Sequence, residues 1–466
     1  MRWIAATALA VLVLTASAGR AAAVGPEAGA RSPNYAKAAA HDPMFEDKTL
    51  WPMLTGKEYY PKQAWPKARL MVWAKPGTNG GKRARGIDLL DPKNWIEDGR
   101  PCTKVVFDEN TDIVLPPADK PYSINGREDG AAWPDVFRHI TVCRNALLGG
   151  GGDGKGRKIH GNVWIKQGAG MDAQGATQFL GPGHVFFRND NTPETARGEG
   201  RGEGIMSSQY FVFNKEAGGS VEFLGHVTVL DEFRLFGCTV IVGPDSFLQP
   251  GRNASPTIQN GGVLALMDGA RFESWNNDFG TPEMTVTDGA IQGGLPDRPL
   301  TRSCTYGLAF KNYTAARYTG PGAQDSSGGK PRYEYRRVPS LIVEKGALRS
   351  YSQDLAKAHL IFTVMENQAF WFEPGDDRYE STVKRNPEYA QVVPWLKALP
   401  HGTDVYLSKE AVVDGVEFDY LRKGGLMVQD PAARARWKNV FFGPHCQATG
   451  AEVFGPLAKL ERGGGY

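Results

Sequence analysis

One phrase recurs along the chain: an apolar residue, any residue, a second apolar residue, three polar or turn residues, then a small one. It reads Ile140-Thr-Val-Cys-Arg-Asn-Ala146, Val163-Trp-Ile-Lys-Gln-Gly-Ala169, Phe211-Val-Phe-Asn-Lys-Glu-Ala217 and Val240-Ile-Val-Gly-Pro-Asp-Ser246. Further copies are Leu264-Ala-Leu-Met-Asp-Gly-Ala270, Met284-Thr-Val-Thr-Asp-Gly-Ala290, Leu341-Ile-Val-Glu-Lys-Gly-Ala347 and Val405-Tyr-Leu-Ser-Lys-Glu-Ala411, with weaker ones starting at Val185, Leu308 and Thr363. Successive starts are mostly 20 to 29 residues apart. Alternating apolar positions place one face of a short strand inward, because side chains alternate with period two. Turn residues then bend the chain and the small residue fits the corner. A repeat of this length cannot bury its apolar face alone, so copies must stack.

The pattern predicts an all-β fold: a single-stranded parallel β-helix, or solenoid, of about ten coils, with loop insertions and a short helical insertion. A sandwich or propeller stays open as an alternative, because Asp268-Gly269 and Asp288-Gly289 would also suit two-residue hairpin turns. Three long gaps locate the insertions: Arg188 to Gly204, Tyr313 to Arg337, and a stretch holding Phe370-Trp371-Phe372 with a helix expected near Tyr389 to Ala398.

The ends lack the repeat. Arg2 followed by an apolar run from Ile4 to Thr15, with Ala16-Ser17-Ala18 and Ala21-Ala22-Ala23, has the form of a secretory signal, too short to span a bilayer. The expected organisation is a signal peptide over 1–23, an irregular arm or cap over 24–87, the β-helix over 88–457 and a tail over 458–466. That places the mature chain outside the membrane, in a secreted, extracellular or periplasmic location, with no membrane span.

Composition sharpens this picture only slightly. Glycine (57), proline (31), phenylalanine (22) and tyrosine (16) fit a turn-rich β protein. With 54 basic and 51 acidic residues the net charge is +3, which supplies no global field for nucleic acid. Five cysteines at wide spacing, with no C-x-x-C pair, suggest one disulfide plus buried thiols and no cysteine-based metal site. No nucleophile elbow, P-loop, dinucleotide fingerprint or H-E-x-x-H occurs, which disfavours those enzyme classes.

The stacked repeats from about Lys104 to Leu457 resemble the right-handed parallel β-helix proteins of the pectate-lyase-like superfamily. Asp91-Pro92-Lys93-Asn94-Trp95, Gly99-Arg100-Pro101, Val105-Val106-Phe107 and Ile113-Val114-Leu115 also resemble the opening of G8 domains, a likeness spanning about Asp88 to Gly152. These resemblances imply handling of extracellular glycans. Lyases of this fold use a Lys or Arg base beside a uronate, often with calcium, so calcium is admitted as a cofactor. Lys345 and Lys409 share one phrase position.

Candidate chemistry follows from residue types. Asp268 and Asp288 hold the same phrase position, so stacking would set them roughly 5 Å apart as an acid pair or cation site; each also suits a simple Asp-Gly turn. Asp278, inside Trp275-Asn276-Asn277-Asp278-Phe279, adds a third catalytic candidate, with Trp275 as a sugar-stacking ring. Tyr313, Arg317, Tyr333 and Arg336, together with Trp371, are candidate binders of an acidic polysaccharide: Arg grips carboxylate or sulfate and aromatic rings pack on pyranoses. His184 and His226, each in Gly-His-Val, would meet on neighbouring coils if their positions were equivalent. The expected function is binding of an extracellular acidic polysaccharide, with lyase or hydrolase cleavage as its catalytic form; a non-catalytic adhesin or matrix protein is the competing expectation.

Overall fold

The alternation of apolar positions folds as expected into strands, and nearly all pair in parallel. A computed structural model of the chain describes residues 69–447, apart from 78–88, 125–135, 149–156, 192–205, 251–256, 275–281, 309–313, 319–331, 365–373, 395–401 and shorter stretches or single positions. The expected signal peptide, most of the arm and the tail lie outside the described residues. Those described form one sheet of eighteen strands, a second of twelve, and a separate two-stranded sheet. The architecture is all-β with long parallel sheets.

Pairing runs along three lines to which the chain returns in fixed order. Strand Thr239–Val242 is followed by Phe247–Pro250 and Thr257–Gln259. The next cycle, Val263–Leu266, Arg271–Ser274 and Met284–Val286, pairs with these three respectively. Ala290–Gly293, Cys304–Leu308 and Leu341–Val343 then pair with that cycle in turn.

Register stacks like on like. In the first line Val221, Val240, Leu264, Ile291, Leu348 and Val413 are successive partners, all buried. In the second, Phe272, Tyr306, Phe362 and Phe418 follow one another with ring centroids 5.0, 5.2 and 5.6 Å apart. In the third, Phe179, Phe213, Leu235, Ile258, Val286, Val343 and Leu407 do the same. Each column fills one continuous apolar interior, where complete burial of a large side chain contributes about 1.5–3 kcal/mol.

Several expectations need correction. β structure begins before residue 88, since Arg69–Trp73 pairs in parallel with Thr111–Leu115 and antiparallel with Trp95–Glu97. A helix also lies ahead of the expected one, at Asp377–Arg385, where Asp377 and Glu380 in the first turn suit the helix dipole; of Tyr389 to Ala398 only Ala390 and Pro394 are described, and both are helical. No disulfide forms: all five cysteines are free, and Cys102, Cys143, Cys238 and Cys304 are buried. Burial pushes the Cys143 thiol up to about 12, so these thiols behave as small core hydrophobes.

The phrase itself has a more general meaning than one copy per coil. Its copies at Ile140, Val163, Val240 and Leu264 sit in the first line, whereas those at Phe211, Met284, Leu341 and Val405 sit in the third. It marks a strand running into a turn, in whichever line, which explains the unequal gaps.

Candidate functional site

Strands buried on one side present alternate residues outward, and chemistry can gather only there or in loops. On the outer side of the first line, three neighbouring strands bring together residues distant in sequence. Val163–Ile165 carries Trp164, which pairs in register with Arg188 of His184–Asn189. His184 and Phe186 of that strand face Ser220 and Glu222 of Ser220–Val229. His184 and Arg188, four residues apart on one strand side, are separated by roughly 13 Å.

Two clusters occupy this surface. In the first, the Arg188 guanidinium lies 4.7 Å and the Lys166 ammonium 4.9 Å from the half-buried Trp164 ring centre. The Asp190 carboxylate accepts from Trp164 Nε1 at 2.6 Å and from Arg188 Nε at 2.5 Å. The cluster therefore holds one aromatic, two cations and one acid, and carries a net positive charge.

The second cluster is centred on Glu222, which is buried. Arg298 Nη1 donates to it at 3.1 Å, and His184 Nε2 lies 3.3 Å from its Oε2. His184 Nδ1 is 2.5 Å from Ser220 Oγ, and the imidazole edge packs on Phe186 with centroids 4.6 Å apart. Arg298 comes from the 294–302 loop, which a bridge between Leu295 and Arg298 closes on itself. Beneath that loop Ile241, Ala265 and Met267 are buried, with Leu295 packed against them.

Asp268 fastens this loop and is not aligned with Asp288. It accepts from Thr301 N at 2.8 Å, Thr301 Oγ1 at 2.5 Å and Arg302 N at 3.2 Å, while Arg302 also reaches Asp245 at 2.8 Å. Asp288 accepts from Gly261 N at 3.3 Å. Strands Val263–Leu266 and Ala290–Gly293 pair in register; Asp268 follows the first, and Asp288 precedes the second. The two carboxylates therefore lie at opposite ends of that pairing rather than one layer apart. The shared phrase position misled because Leu264 and Met284 begin strands of different lines.

His184 and His226 are also not equivalent. His184 pairs with Ser220 in the first line, whereas His226 pairs with Phe247 in the second and packs edge-on against it at 4.5 Å. Gly225, with φ +85° and its Cα facing the Asn189 carbonyl, turns the chain between those lines; a Cβ there would sit 1.9 Å from that oxygen. Arg317, Tyr333 and Arg336 fall in an antiparallel pair, Thr314–Tyr318 with Arg332–Arg336, where Arg317 is partnered with Tyr333 and Thr314 with Arg336. Trp275, Asp278, Tyr313 and Trp371 lie outside the described residues.

Among the described residues, no group of three or more His, Cys, Asp or Glu could hold a metal ion, and no helix is long and apolar enough to cross a membrane. Near the first strands a groove of about 480 Å³ is lined by Pro76, Pro117, Asp119, Lys120 and Arg144; Arg144 follows Ile140–Val142, the strand that pairs with the one carrying Trp164. Comparison with protein-family models, curated proteins and solved structures finds no match for this chain.

Sequence pattern could have flagged Trp164 and Glu222: each is the residue between two inward apolar positions, in Val163-Trp-Ile165 and Val221-Glu-Phe223. Their partners could not be read this way. Arg298 is 76 positions from Glu222, and Ser220 is 36 from His184.

Proposed function

We propose that the three lines of parallel pairing are the faces of one parallel β-helix, and that the chain is an exported protein binding an extracellular acidic polysaccharide on the outer side of its first line. The observation carrying this reading is the Trp164 ring flanked by Lys166 and Arg188. A half-buried indole offers apolar area to a sugar ring, and flanking cations favour a carboxylate or sulfate carried by it. The return of the chain to three lines in fixed order, with like residues stacked in each, supports the β-helix. The leader-like N-terminus supports export.

Affinity electrophoresis of the mature protein through neutral, uronate-containing and sulfated polysaccharides, with and without calcium, tests this. Retardation by the acidic polymers, weakened at least ~10-fold by Trp164→Ala, is expected. Equal migration in all gels would overturn the proposal. A second, non-catalytic reading, as a surface or matrix protein, draws on Asp268 and Asp288, whose carboxylates serve turns rather than a shared acid pair. It predicts binding with no new reducing ends and no unsaturated products.

A further inference from the structure

Ser220 and His184 form a hydrogen-bonded pair on the outer side of the first line, with the Glu222 carboxylate beside the imidazole. Ser220 Oγ lies 2.5 Å from His184 Nδ1, and Nε2 of the same ring lies 3.3 Å from Glu222 Oε2. Nε2 makes no hydrogen bond to that carboxylate, but the buried negative charge beside it favours the neutral tautomer that carries its proton on Nε2. That leaves the Nδ1 lone pair facing the serine hydroxyl, the arrangement of a general base beside a nucleophile. The ring is held by Phe186, and the buried Glu222 is held by Arg298. Ser220 and His184 remain half-exposed, so a ligand can reach them.

We propose that Ser220 is an activated nucleophile and that this surface hydrolyses acyl esters. Ser220 Oγ bonds to the acyl carbon while its proton passes to His184 Nδ1, and Glu222 stabilises the imidazolium. The ester C–O bond breaks, and the departing alkoxide takes the proton from His184. Water, deprotonated by His184, then attacks the acyl carbon, the bond to Oγ breaks, and the carboxylic acid leaves as Ser220 regains its proton. The substrate class is an ester on a carbohydrate hydroxyl; that choice of alcohol rests on the polysaccharide reading, whereas the nucleophile does not.

The backbone sets the expected speed. Ser220 N–H is committed to Gly183 O at 3.0 Å, so the nucleophile's own amide cannot serve an oxyanion. One missing oxyanion donor costs about 10²–10³ in rate, so turnover should be slow and covalent capture is the sensitive readout. The mature protein is incubated with a fluorophosphonate, and its peptides are mapped by mass spectrometry. Ser220 should label at least ~100-fold faster than Ser350 or Ser352 in the same digest, a ratio requiring no variant. His184→Ala, with Tm measured alongside, should slow capture at Ser220 at least ~100-fold, and Ser220→Ala should abolish p-nitrophenyl acetate turnover. Capture at Ser220 no faster than at those serines, or unchanged in folded His184→Ala, overturns the proposal. Electrophoresis of the same preparation keeps the two readings apart: labelling without polysaccharide retardation defeats only the saccharide reading, and retardation without labelling defeats only the nucleophile.

Discussion

The outer side of the first line has two parts that share one strand register and differ in what covers them. Around Ile241, Ala265 and Met267 the outward residues are apolar, and the 294–302 loop shuts them off with Leu295. Around Trp164, Arg188 and Lys166 they are aromatic and charged and stay half-exposed. The backbone is the same in both parts, so the side chains at alternate positions decide which is sealed and which is left to meet a ligand. Glu222 stands where they join: its strand neighbour on one side is Phe186 and on the other Ile241.

Breaking the clamp should have the largest effect. Arg298→Ala removes the hydrogen-bonded cation from a buried carboxylate and leaves His184 beside it. Loss of one partner of a buried pair costs about 3–5 kcal/mol, and the retained His184 places this variant at the low end. Urea unfolding should show about 3 kcal/mol lost, with a hydrophobic dye binding the uncovered Ile241 and Met267. A loss below about 1 kcal/mol would mean that the loop is held by its apolar contacts alone.

The two turn carboxylates test whether the sealed part depends on Asp268 alone. Asp268→Ala removes three acceptor contacts to the 301–302 backbone and hydroxyl and should cost about 1–2 kcal/mol. Asp288→Ala, losing one long contact at the surface, should stay within about 0.5 kcal/mol. The double variant should be additive to about 0.5 kcal/mol, as for distant sites; coupling above 1 kcal/mol would restore the two as a pair.

These cases show how much of the molecule is legible in its sequence. Val-x-Val and Leu-x-Leu alternation fixes which residues face inward, and the columns through Leu264 and Phe272 confirm that inward set. It is silent on which line a strand joins, because the same phrase serves strands of two lines; hence Asp268 and Asp288 looked equivalent. The outer clusters depend on register between strands tens of residues apart and on a loop folding back, and neither leaves a periodic trace. A charged residue between two apolar ones, such as Glu222, still marks an outward position worth pairing.

The open part meets its own limit in acid. His139 accepts a hydrogen bond from Asn162 N on Nδ1 at 2.8 Å, and burial with the nearby Arg138 holds its pKa well below the usual histidine value. The unfolded chain therefore binds a proton below about pH 6.5 that the folded one refuses, and stability falls as pH drops through that range. Asn162 immediately precedes the Val163–Ile165 strand that carries Trp164, so the acid loss should begin here. Urea titrations at pH 7.5 and 5.5 should show a smaller loss in His139→Gln than in the parent; equal losses would place the acid-sensitive group elsewhere.

The smallest change in stability should accompany the largest change in binding. Trp164→Ala forfeits two cation–ring contacts, each about 0.5–1 kcal/mol at an exposed site, and the indole bond to Asp190. Arg188 and Asp190 keep each other, so no buried charge is stranded and the net cost should be about 1 kcal/mol. Trp164→Phe restores a ring without the Nε1 donor and should recover most of that stability and part of the affinity for acidic polysaccharide. If the stability of Trp164→Ala fell by as much as that of Arg298→Ala, Trp164 would be part of the scaffold, and the contrast between a sealed and an open part would fail. If stability held while binding vanished, the open part would be free to serve recognition because folding does not depend on it.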